Sequence, residues 1–113
     1  MTMTNDEAQL VVQIARWGTD MGVEDALAEI FSESFDSDRA AADDASVRKI
    51  LAFFETVATI TKRGALSADL VHDLWWVSGI WERVRPHVEF ARKGSGEPRL
   101  YENFELLVNA SHN

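Results

Sequence analysis

Apolar side chains recur every three or four residues along this chain, and nowhere do they alternate with the period of two that marks a half-buried strand. The clearest stretch places Val47, Ile50, Leu51, Phe54, Val57 and Ala58 on one helix face; Lys62, Arg63 and Gly64 then supply a basic last turn and a left-handed exit. No Asn-Gly or Asp-Gly hairpin turn occurs. The pattern predicts an all-α fold, a single bundle of five or six helices.

The remaining elements follow from the same periodicity and from caps. Thr4 and Glu7 form a capping box, after which Leu10, Val11, Ile14 and Trp17 carry a first helix to its expected end at Gly18. A short second helix is expected from about Val23, with Val23, Ala26, Leu27, Ile30 and Phe31 as its stripe, fraying near Ser34. Residues 36–46 read either as a linker or as the acidic first turns of the next helix. Ser67 caps a fourth helix whose seam is Leu70, Leu74, Val77, Trp81 and Val84, flanked by Val71 and Trp75 on one side and by Trp76 and Ile80 on the other. A helix so widely apolar is expected at the centre. Pro86 kinks or restarts it, and Gly94-Ser95-Gly96 closes the segment. Pro98 is expected at the first position of a last helix that turns Leu100, Tyr101, Phe104, Leu107 and Val108 inward.

At 113 residues, 46% hydrophobic and 27% charged, the chain is long and apolar enough for one domain with a true core. We read residues 1–113 as a single helical domain, with 1–46 an acidic helical pair plus connector and 47–110 the packed core. The absence of cysteine excludes disulfides, a thiolate nucleophile and Cys-ligated zinc. Met1 to Glu7 show neither a basic nor an apolar leader region, and no later run reaches the roughly 18–20 apolar residues of a membrane span. A cytoplasmic location is the expectation, which makes the sequon Asn109-Ala110-Ser111 incidental.

A combination of residues in the C-terminal part resembles a known bacterial family. Phe53-Phe54-Glu55, Lys62-Arg63-Gly64-Ala65-Leu66, Asp69-Leu70-Val71, Trp81-Glu82-Arg83, Arg85-Pro86, Arg92, Pro98-Arg99-Leu100-Tyr101 and Asn103-Phe104-Glu105 are similar to the family called domain of unknown function 4760. The resemblance covers residues 47–108. It implies a small helical domain and brings no activity. The motif residues Phe53, Phe54, Glu55, Arg63, Gly64, Trp81, Glu82, Pro86, Tyr101, Phe104 and Glu105 are accordingly expected to be structural. The acidic N-terminal part has no counterpart in that resemblance.

Charge is distributed unevenly. Residues 1–46 carry eleven acidic side chains against Arg16 and Arg39, a net charge of −9, whereas the rest is close to neutral at +1. The first two helices, joined near Gly18–Gly22, resemble a helix-turn-helix pair, yet the second would present Glu24, Asp25, Glu29 and Glu33 to a polyanion. DNA affinity rests on Lys and Arg, so direct nucleic-acid binding is excluded. Asp25, Glu29 and Glu33, four apart, would instead repeat carboxylates every ~6 Å along a helix, near the spacing of phosphates on a nucleic-acid strand.

Catalytic signals are weak. Asp69, His72 and Asp73 share one helix face at a spacing compatible with a metal, but no second ligand-bearing helix completes the set. His87 and His112 are less committed still. Glu55 is either a buried carboxylate poised for proton transfer or a partner of Arg63, Arg83, Arg85 or Arg92 that fixes helix packing. Lys93-Gly94-Ser95-Gly96 has the wrong order and context for a phosphate loop. The chain is therefore read as non-catalytic, with no cofactor and no metal.

The function expected from the sequence is a protein-interaction domain that meets a basic protein through Glu24, Asp25, Glu29, Glu33, Asp36, Asp38, Asp43, Asp44 and Trp76. Trp17, Trp75 and Trp76 exceed what the seam needs, so they are either interface anchors, self-association included, or part of the same core. A nucleic-acid-mimicking inhibitor of a DNA- or RNA-handling enzyme is the alternative, and an enzyme of unrecognised type the second.

Overall fold

The computed structural model describes residues 3–110; His112 and Ser111 of the sequon lie outside them. Six helices follow one another: α1 (Asn5–Met21), α2 (Val23–Ile30), α3 (Ala45–Lys62), α4 (Ala68–Leu74), α5 (Val77–Ser95) and α6 (Glu102–Asn109). No strand occurs among the described residues.

The centre is α3, not the helix after Ser67. Val47, Ile50, Leu51, Phe53, Phe54, Val57 and Ala58 are all buried, and α3 packs against α1, α2, α5 and α6. Phe54 stacks on Phe104 at 5.4 Å, and Trp81 meets Phe104 edge-on at 5.1 Å. Ile14, Val23, Ala26 and Ile30 join the same cluster, so the acidic N-terminal helices complete this core. Burying a large aliphatic or aromatic side chain contributes about 1.5–3 kcal/mol, and this shared interior fixes where the N-terminal pair sits.

Several boundaries differ from those expected, each for a visible reason. The first helix runs through Gly18 to Met21 and turns at Gly22 (φ 77°). Gly18 stays helical because the Phe53 ring lies 3.2 Å from where a Cβ would stand, so its lack of a side chain serves close packing. Residues 36–44 form turns in which the Asp36 carboxylate accepts the N–H groups of Asp38 and Arg39. Asp44 then caps α3 by accepting the Val47 N–H at 3.0 Å.

The expected fourth helix is two helices. Ser67 caps α4 through the Leu70 N–H, but the chain becomes extended at Trp75 (φ −138°, ψ 150°). Trp76 (φ −79°, ψ 75°) adopts an inverse γ-turn, closed by the Val77 N–H donating to the Trp75 carbonyl at 2.9 Å. The break lets the Trp75 indole pack edge-on against Phe53 and Phe54, at 5.8 and 5.4 Å. Leu74 is left exposed, so the seam from Leu70 to Val84 does not exist as one stripe. Pro86 lies inside α5, which continues to Gly96 (φ 71°).

Pro98 is not the first residue of α6. It sits in a turn where the Glu97 carboxylate accepts the Arg99 N–H, and α6 starts only after Tyr101, held at φ 61°. Arg92 fixes this turn by donating to the Leu100 carbonyl and to Glu105, both at 2.9 Å.

Candidate functional site

Two carboxylates of the expected motifs are consumed by helix ends. Tyr101 offers α6 no side-chain cap, and the Glu55 carboxylate of α3 takes that place by accepting the Phe104 N–H at 2.9 Å. A helix N-terminus stabilises an anion there. Burial pushes the Glu55 carboxyl above the ordinary carboxylate range, while the Phe104 N–H and Asn103 pull it back. None of the four arginines considered for Glu55 pairs with it. Beside it, Asn103 donates to the Thr59 hydroxyl at 2.9 Å and accepts from Lys62 at 3.4 Å. Glu7 does not close its own capping box: Thr4 accepts the Glu7 N–H, but the Glu7 carboxylate reaches across to the Ser67 N–H at 2.7 Å.

The other motif residues are distributed between the core, a turn and surface ion pairs. Phe53, Phe54, Trp81 and Phe104 are core, Gly64 supplies a positive φ of 91° after the Arg63 cap, Glu82 pairs with Arg85 and Glu105 with Arg92. Asp69 and Asp73 are exposed, whereas the His72 ring points Nε2 at the Leu107 carbonyl, 2.9 Å away. No cluster of three or more potential metal ligands exists among the described residues. His87 is buried with Nδ1 at 2.6 Å from the Ala41 carbonyl, tying α5 to the connector.

Three of the sequence-expected carboxylates lie exposed along α2. Glu24, Asp25 and Glu29 are exposed and form no ion pair among the described residues. Positions 24, 27 and 31 fall on one edge of this helix. At its C-terminal end Glu29, Asp36, Asp43 and Asp44, with Arg39, surround a depression of about 230 Å³. Asp43 is ion-paired with Arg48. Asp38 is exposed nearby. Glu33 does not extend the row of carboxylates: α2 ends at Ile30, where the Ser32 hydroxyl donates to the Glu29 carbonyl at 2.7 Å, so the three-fold ~6 Å repeat stops at two.

The same edge carries an aromatic platform. Trp76 is 69% exposed, yet it is held on two sides. Its ring stacks on Phe31 at 5.8 Å with an interplanar angle of 16°, and it rests so closely on Gly79 that a Cβ there would meet it at 2.3 Å. Arg83 lies over Phe31 at 5.4 Å. Trp75 is half-buried, Trp17 packs against Phe53 at 4.9 Å while keeping 36% exposure, and Trp76 is the most exposed of the three. At the N-terminal end of α2 a notch of about 150 Å³ opens: α1 contributes Ala15, Gly18 and Thr19, α2 contributes Val23, Glu24 and Leu27, and Phe53 and Trp75 form its aromatic walls.

The role of Gly79 was not anticipated from the sequence, although a glycine three residues after an aromatic, at the start of a helix, is the signal of such stacking. The trans-acting caps left no local signal, because their partners lie 49 and 60 residues away. No helix among the described residues is long and apolar enough to cross a membrane. No curated protein and no solved structure matches this chain. A family model does match, over residues 4–111. The match therefore reaches beyond the C-terminal part that carried the resemblance and takes in the acidic helices α1 and α2, in keeping with their share of the core. The chain belongs to the family described as Domain of unknown function (DUF4760).

Proposed function

We propose that this domain is a non-catalytic interaction module that docks a basic segment of a partner protein along the exposed edge of α2. The observation that carries the reading is the fixed exposure of Trp76, between Phe31 and Gly79, at the C-terminal end of a helix whose carboxylates Glu24, Asp25 and Glu29 are exposed and form no ion pair among the described residues. A large aromatic ring left in water gains about 1.5–3 kcal/mol when it is covered, and aromatic anchors dominate binding energy at interfaces. Carboxylates without internal partners attract a cationic segment at long range and speed its capture. Three arginines of the second half are paired with acids of that half, Arg85 with Glu82 and Glu89, Arg92 with Glu105 and Arg99 with Glu102, while Arg48 pairs with Asp43. The carboxylates of α2 keep no ion-pair partner among the described residues and can meet a cationic segment.

The test is capture from a native-host extract by the tagged full chain, at low and high salt and with and without nuclease. The expected outcome is one basic protein retained at low salt, released at high salt and lost with Trp76→Ala and with Asp25→Asn/Glu29→Gln. Capture that is indifferent to all of these substitutions sinks the docking reading. Release by added nucleic acid would favour a mimic instead.

A further inference from the structure

We infer that the notch at the N-terminal end of α2 receives one lysine side chain of the docked partner, with its methylene stem against Phe53 and Trp75 and its ammonium at Glu24. The inference rests on the docking reading above and names the chemistry of one contact within it.

Size, wall construction and charge converge on this occupant. At about 150 Å³ the notch falls below the roughly 300 Å³ where sites for drug-sized ligands begin, and it suits a single side chain. Gly18 shapes the wall: any side chain there would press on the Phe53 ring, 3.2 Å away. Apart from Thr19 the lining is otherwise apolar or aromatic, with Glu24 the one charged residue among its described members. A wholly apolar guest would strip water from Glu24 without replacing it, which is costly. A lysine offers four methylenes for the rings and a compact cation for the rim, and a cation beside aromatic faces is itself attracted to them.

Position links the notch to the platform. Glu24, Leu27 and Phe31 share the α2 edge, while Trp75 walls the notch and the next residue, Trp76, stacks on Phe31. A segment that continues from Trp76 along α2 toward Leu27, one turn before Phe31, reaches the mouth of the notch.

The probes are octalysine and octa-diaminobutyrate, whose side chains are two methylenes shorter, at slightly acidic pH where both are fully charged. Affinities for the full chain are measured by titration, with amide shifts followed in ¹⁵N-labelled protein. Octalysine is expected to bind about tenfold more tightly, the worth of burying two methylenes, and to shift Gly18 and Thr19. Ala15→Leu, an exposed change that covers the mouth, removes the tenfold preference and leaves the weaker binding of the short analogue intact. Glu24→Gln, a solvent-facing change, lowers octalysine affinity more than that of the analogue. Equal binding of the two peptides to the unmodified chain, still abolished by Asp25→Asn/Glu29→Gln, overturns the notch and leaves the docking reading standing. Absence of binding by both overturns the two together.

Discussion

Glu55 shows how a single carboxylate can look catalytic in sequence and be architectural in space. It sits half-buried in the central helix, and its partners are the first N–H groups of α6. Because its folded-state pKa is raised, the folded chain holds this proton more tightly than the unfolded chain does. Its contribution to stability therefore increases as pH falls from above the folded pKa toward the unfolded value, and is level beyond both. Glu55→Gln keeps an acceptor oxygen but cannot titrate, so the stability difference between parent and variant should vary with pH across that window. Urea unfolding at a series of mildly acidic pH values checks this, and a constant difference contradicts it. Glu55→Ala removes the acceptor altogether and is expected to cost about 1–3 kcal/mol at neutral pH, because helix N–H groups are left without a partner.

Among the elements, the most telling is the interruption at Trp75–Trp76. Gly79→Ala improves intrinsic helix propensity by up to about 1 kcal/mol while evicting the indole that lies on Gly79. The expected result is a thermal midpoint close to the parent's, a changed near-ultraviolet dichroism and lost partner capture; an unchanged tryptophan signal would mean that the shelf is not needed. The break itself was illegible in sequence, because Leu70, Leu74, Val77 and Trp81 keep the same spacing in one helix or in two. Periodicity reports which residues want burial, not where the chain bends to achieve it. Local chemistry was readable where it acts within one turn: the caps at Thr4 and Ser67, the exit at Gly64 and the apolar face of α3 all lie where spacing places them. Gly18 and Pro98 misled for one reason. Each is a boundary residue by preference, and each is overruled by a long-range contact, the Phe53 ring in one case and the Arg92 clamp on the turn in the other. Of the candidate surface, the carboxylates and Trp76 were legible as residue types, but the seating of Trp76 at the end of α2 depends on Phe31 and Gly79.

For the whole molecule, the uneven charge is a property of the folded state and not of a loose acidic tail. The acidic helices help enclose the interior, so their mutual repulsion bears on the stability of the entire domain. Self-repulsion of this kind is screened by salt, with a Debye length of about 30 Å at 0.01 M and about 8 Å at 0.15 M. The thermal midpoint should therefore rise between those two salt concentrations, and the rise should shrink in Asp25→Asn/Glu29→Gln. A midpoint that falls with salt would show attraction outweighing repulsion. The carboxylate lent to α6 by a residue 49 positions earlier sets an order of events. An isolated helix of eight residues is too short to persist in water, so α6 forms only against an α3 that is already in place. The amide protons of α6 should therefore exchange with solvent before those of the central helix, and equal protection of the two in a hydrogen-exchange series would contradict this.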